Sequence, residues 1–134
     1  MSAIPLIKAE DKIPFPIIEN GNGASIYYSG ENQIIHTAID ILIKDSQYIC
    51  RKEGISVTNS EKAGDILVGV IGEDKKFDTL CSQHCSKYKE LKGKWETFLI
   101  HPIQSHDNKK RLLIAGSDAR GAAYGILELS RSMG

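Results

Sequence analysis

From Ile66 to Gly72 the chain reads Ile-Leu-Val-Gly-Val-Ile-Gly without one polar side chain, and few folds can house such a stretch. A strand with one wet face alternates apolar and polar residues, whereas a strand covered on both faces need not. The run is therefore the expected centre of a sheet, and a sheet covered on both sides requires helices above and below it. The flanking sequence supplies them. From Asn32 onward Ile35, Ala38, Ile39, Leu42 and Ile49 recur at helical spacing, Arg51 and Lys52 fall in the last turn, and Gly54 follows as a helix-ending residue. Phe77, Leu80, Cys81, Cys85 and Tyr88 form one stripe of a second helix, and Ala122, Ala123, Ile126, Leu127 and Met133 mark the inner face of a closing one.

Strand signals fill the gaps. Phe15 to Ile18 and Ala24 to Tyr28 flank the turn-forming cluster Glu19 to Gly23, and Pro14 and Pro16 push the first of these strands to a sheet edge. Ile55 to Val57 reads as a short strand. Trp95 to Ile103 and Arg111 to Ala115 read as a hairpin across a polar turn from Ser105 to Lys110. Helices set between strands, with one hairpin, predict one α/β domain over residues 1–134, α+β mixed in character, with a mixed sheet layered between helices on both faces. A chain of 134 residues buries about two thirds of its unfolded surface, enough for one core.

Chemistry is harder to find. Seventeen basic and seventeen acidic side chains balance to a formal charge of zero, and no basic excess or Lys/Arg cluster marks a nucleic-acid or polybasic membrane partner. The apolar run Ile4 to Ile7 is too short for a signal-peptide core or a membrane span. Three cysteines, Cys50, Cys81 and Cys85, make no disulfide framework. Cys81, His84 and Cys85 invite a zinc reading, but a structural site needs four ligands, and only His101 and His106 lie nearby to complete it. Both thiols fall on an apolar stripe, where cysteine packs as a small hydrophobe, so core packing is the expected role and no metal site is assigned. There is no serine-nucleophile elbow, no assignable carboxylate pair, and no orienting group for a Cys/His pair. Gly69-Val70-Ile71-Gly72 lacks both the dinucleotide fingerprint and the Walker lysine. No catalytic residue and no cofactor are expected.

The most structured piece is Gly116-Ser117-Asp118-Ala119-Arg120-Gly121-Ala122-Ala123-Tyr124-Gly125. Ser117 or Asp118 can cap the following helix and suits its positive end. Arg120 in the first turn opposes the dipole, so it calls for a partner: Asp118, Glu96 or a bound anion. Gly121, Ala122 and Gly125 leave a face poor in side chains, and glycine inside a helix costs about 1 kcal/mol against alanine, which asks for a packing reason.

These residues also carry a likeness. Gly93-Lys94-Trp95-Glu96-Thr97-Phe98-Leu99-Ile100 and the stretch from Leu112 through Gly116-Ser117-Asp118-Ala119-Arg120-Gly121 to Ser130 resemble the N-terminal domain of glycoside hydrolase family 115. Looser similarity reaches back through Phe15 to Ile18 and the helix ending at Gly54, nearly the whole chain. Members of that family are xylan α-1,2-glucuronidases, which hydrolyse glucuronic or 4-O-methylglucuronic acid side chains from xylan. Their α/β N-terminal domain resembles the non-catalytic domain that precedes the barrel in hexosaminidases and other α-glucuronidases. The resemblance implies that residues 1–134 are the leading accessory domain of a larger secreted or periplasmic enzyme. Its closing helix, on which Gly134 falls, would lead into a (β/α)8 barrel that holds the catalytic machinery. Ala119, Ala122 and Ala123 stand where the family pattern has larger residues, and His101-Pro102 interrupts the strand after Ile100.

Two roles follow from the resemblance and the residues together. In the first, Gly121, Tyr124 and Gly125, or the far sheet face, dock on the barrel as an intramolecular partner. In the second, the chain is a free-standing carbohydrate or small-acid binding module for a xylan-derived oligosaccharide. There Trp95, or Tyr27 and Tyr28, would stack on sugar, and Arg120 would hold a uronate carboxylate through two parallel bonds. A buried Trp95 favours the scaffold, an exposed one the module.

Overall fold

The computed structural model describes residues 4–5, 24–50, 54–104 and 110–133. Six strands, β1 (Ile4–Pro5), β2 (Ser25–Tyr28), β3 (Ser56–Val57), β4 (Ile66–Val70), β5 (Thr97–Gln104) and β6 (Lys110–Gly116), form one sheet in the order β1-β5-β6-β4-β2-β3. Three α-helices, α1 (Gln33–Cys50), α2 (Lys75–His84) and α3 (Ala119–Met133), and a 3-10 helix, Ser86–Leu91, complete the described elements. The expected strand from Phe15 to Ile18, its glycine turn and the polar turn before Lys110 lie outside the described residues.

The apolar run occupies the middle of the sheet. All five residues of β4 are buried, and the strand pairs in parallel with β2 on one side and β6 on the other. Among the described strands only the β5–β6 pair is antiparallel, from Phe98 opposite Gly116 to Gln104 opposite Lys110, so the sheet is mixed. Pleating divides each central strand between two cores. Ile66, Val68, Val70, Phe98, Ile100, Leu112 and Ile114 join Ile35, Ala38, Ile39 and Leu42 of α1 and Ala122, Ala123, Ile126 and Leu129 of α3 on one face. On the other, Leu67, Leu99, Ile103, Leu113 and Ala115 join Phe77, Cys81, Cys85 and Leu91. Helices therefore cover both faces, as the sequence pattern requires. Ser130 on α3 donates a hydrogen bond to Asp45 on α1, tying the two helices of one layer together.

Two expectations are corrected. The second helix does not carry the whole stripe: it stops at His84, Cys85 is its extended C-cap (φ −147°, ψ 109°), and Tyr88 belongs to the 3-10 helix. Cys81 and Cys85 reach the same core from different backbone conformations. The strand expected from Trp95 begins instead at Thr97, because Glu96 adopts φ 50°, a left-handed conformation outside the extended region of a regular strand. Pro102 does not end β5. The described β1 pairs only with Thr97 and Phe98, so at Pro102 the missing N–H faces no neighbouring strand among the described residues.

Candidate functional site

Where β6 ends and β5 begins, the two strands and the start of α3 are stitched into one corner by side chains singled out above. Thr97 N–H donates to Ser117 Oγ at 3.0 Å, and Ser117 N–H donates to the Thr97 carbonyl at 2.8 Å. Asp118 works in two directions: Oδ1 accepts from Gly121 N–H at 2.7 Å, capping α3, and Oδ2 accepts from Glu96 N–H at 3.0 Å. Thr97 Oγ1 closes the turn on the Trp95 carbonyl at 2.9 Å. Arg120 finds its partner in Glu96, Nη1 to Oε1 at 3.3 Å. The Arg120 side chain is 66% exposed, so the pair adds less than about 1 kcal/mol. The second carboxylate oxygen, Oε2, is buried without a hydrogen-bond partner among the described residues.

The corner assigns the predicted residues to different tasks. Ser117 and Asp118 are internal acceptors. Gly121 and Gly125 face the chain's own sheet: a Cβ on Gly121 would fall on the Thr97 carbonyl oxygen, and one on Gly125 would lie 2.7 Å from Ile114 Cγ2. Their small size serves helix–sheet contact, which removes both from any outward docking face. Tyr124 is half-buried and lines a groove of about 350 Å³ between α1 and α3 with Ile34, Thr37, Ile41, Arg120 and Leu127. Ile34 and Ile41 are 46% and 41% exposed there. Trp95 is 82% exposed. Tyr27 and Tyr28 make no outward platform, since they pack against opposite cores, and Tyr28 lies tilted against the His36 ring.

Asp118→Ala tests the corner. It removes the acceptors of two backbone N–H groups, and a lost cap alone costs about 1 kcal/mol. With the Glu96 amide also stranded, the expected loss is about 2 kcal/mol, a fall in Tm of roughly 8 °C by thermal circular dichroism.

The thiol cluster is placed for packing. Cys81 is fully buried, and burial, with Asp78 and Cys85 adding in the same direction, pushes its thiol up to about 12. Burial pulls the His101 imidazole below its ordinary value, with Lys87 and His84 adding to this and the His84 carbonyl opposing it. Among the described residues no group of three or more His, Cys, Asp or Glu side chains is placed to hold a metal ion. His106 lies outside them. Gly69 of the Gly69–Gly72 run makes room for the Phe77 ring, which a Cβ there would strike at 2.6 Å.

Sequence reasoning missed a basic turn. Overall neutrality conceals Lys87, Lys89, Lys92 and Lys94 against Glu90 alone within Ser86 to Trp95, all four lysines exposed. A windowed charge count would have found it.

No protein-family model and no curated protein matches the chain. Among solved structures it is similar to BtGH115A, a family GH115 4-O-methyl-α-glucuronidase with specificity for decorated arabinogalactans. The match has 36% identity and a TM-score of 0.61, and covers 81% of this chain. It spans 13% of the length of that enzyme.

Proposed function

We propose that this GH115-related domain is the non-catalytic leading domain of a glycoside hydrolase, docked on and supporting a catalytic (β/α)8 barrel in the rest of its parent. The parent would release glucuronic or 4-O-methylglucuronic acid side chains by hydrolysis. The specificity of the similar enzyme supports the acidic side chain as the shared element, and xylan is the backbone that the sequence resemblance implies.

The observation that carries the docking reading is the groove between α1 and α3. Its apolar lining, with two isoleucines left nearly half exposed, suits burial against another body. Glu96 and Asp118, the carboxylates nearest the candidate corner, are engaged in structural bonds, which supports a supporting role over acid–base work. Ile34→Glu with Ile41→Glu tests the docking. In the longer parent the pair is expected to cut uronic acid release and lower Tm, while the present chain carrying it melts within about 1 kcal/mol of the unaltered form. Unchanged release and melting in the parent would refute the docking, and release of uronic acid by the present chain alone would refute the non-catalytic role.

A second reading has one observation in its favour, the outward Trp95. An indole held in solvent, one residue before the Glu96 that Arg120 pairs with, suits a carbohydrate-binding module, with sugar stacked on the ring.

A further inference from the structure

Exposing an indole forfeits the burial of its large apolar surface, so the way Trp95 is held out of the core is informative. Glu96 in the left-handed region turns the chain so that residue 95 leaves the sheet while residue 97 enters it. The Asp118, Ser117 and Thr97 hydrogen bonds then lock that turn. On the other side of Trp95 the chain is anchored by Leu91, fully buried. The turn between them is closed by Lys94 N–H to the Leu91 carbonyl at 3.1 Å and Lys92 N–H to the Lys89 carbonyl at 3.3 Å. Lysines at 87, 89, 92 and 94 against Glu90 give this ten-residue element 4 − 1 = +3, although the whole chain is neutral. Arg120, bonded to the residue after Trp95, adds a largely exposed cationic side chain.

We infer that Trp95 and the lysine-bearing turn before it form a binding surface for an acidic glycan, the indole stacking on a sugar face while Lys92, Lys94 and Arg120 meet carboxylates along the polymer. The inference rests on the module reading and adds the lysine-bearing turn to it as further contacts for carboxylates. One aromatic platform flanked by point charges suits a polymer with apolar ring faces and spaced carboxylates. A nucleic acid would engage a longer basic stripe than this single element offers.

Trp95 is the only tryptophan in the chain, so its fluorescence reports from the surface itself. The probes are a glucuronate-bearing arabinogalactan oligosaccharide, the same oligosaccharide after reduction of its carboxyl groups, and a single-stranded oligonucleotide. The acidic oligosaccharide is expected to quench the indole saturably and to bind about tenfold tighter than the reduced one. Lys92→Ala with Lys94→Ala, both at exposed positions, is expected to erase most of that difference and leave the reduced form's affinity unchanged. Trp95→Ala, followed by heat of binding, is expected to weaken both about tenfold. Equal affinity for the acidic and reduced forms would overturn the charge assignment and leave the module reading in place. Binding of neither would overturn both, and tighter binding of the oligonucleotide would overturn the glycan.

Discussion

Gly121→Ala is expected to abolish cooperative folding of this domain, or to lower its stability by about 3 kcal/mol or more. The added methyl would fall on the Thr97 carbonyl oxygen, with the Thr97 carbonyl carbon and nitrogen each 3.0 Å away. These are backbone atoms of the first residue of β5, and the same carbonyl accepts from Ser117. No side-chain rotation relieves the clash, so α3 must lift from the sheet and open the core beneath Ala122 and Ile126. Overpacking commonly costs about 1–3 kcal/mol, and a contact with fixed backbone belongs at the top of that range. Circular dichroism during urea denaturation reads the result, and a midpoint within experimental error of the unaltered protein would show that α3 does not lie this close.

One turn further along α3, the second large effect comes with its own control. Ile114 is fully buried in the core that α1 and α3 cover, and Ile114→Ala is expected to cost about 3–4 kcal/mol. Gly125→Ala alone is also expected to destabilise, because its new methyl would approach Ile114 Cγ2 at 2.7 Å and Phe98 Cβ at 3.3 Å. Together the two changes should cost less than their sum. Truncating Ile114 removes the nearest obstacle, and the methyl on residue 125 fills part of the space left behind. A coupling of at least about 1 kcal/mol is expected in the double-mutant cycle. Strict additivity would mean that residues 114 and 125 do not share the space the structure gives them.

Much of the architecture is legible before any coordinates. The unbroken apolar strand demanded cover on both faces, and the stripes at 35, 38, 39 and 42 and at 122, 123 and 126 identified the helices that provide it on one side. The Asp118 cap was legible for the same reason, since a short acceptor before a helix has few other uses. Less could be read where one residue's dihedral angles decide. Nothing in the letters Trp-Glu-Thr shows that Glu96 takes a positive φ, and that angle is what puts Trp95 outside the sheet. Cys85 is a comparable case: its spacing continues a helical stripe, yet the chain reaches the core through a C-cap and a 3-10 turn. Gly121 and Gly125 announced a close approach without saying to what. A face poor in side chains fits an internal sheet as well as a second domain, and only the position of Thr97 and Ile114 tells them apart. The basic turn was hidden by a different cause, a whole-chain sum that averages a local excess away.

The brevity of β3 and the proline in β5 bear on how this domain can meet other molecules. β3 pairs through only two residues, and beyond Phe98 the outward side of β5 includes Pro102, which has no N–H to donate. A strand from another chain would find too short a ladder on one side and an interrupted one on the other. Strand addition and edge-to-edge aggregation are thus discouraged at both described margins. Among the described residues, recognition is left to helix surfaces and to the corner that carries Trp95, where side chains rather than backbone set the specificity.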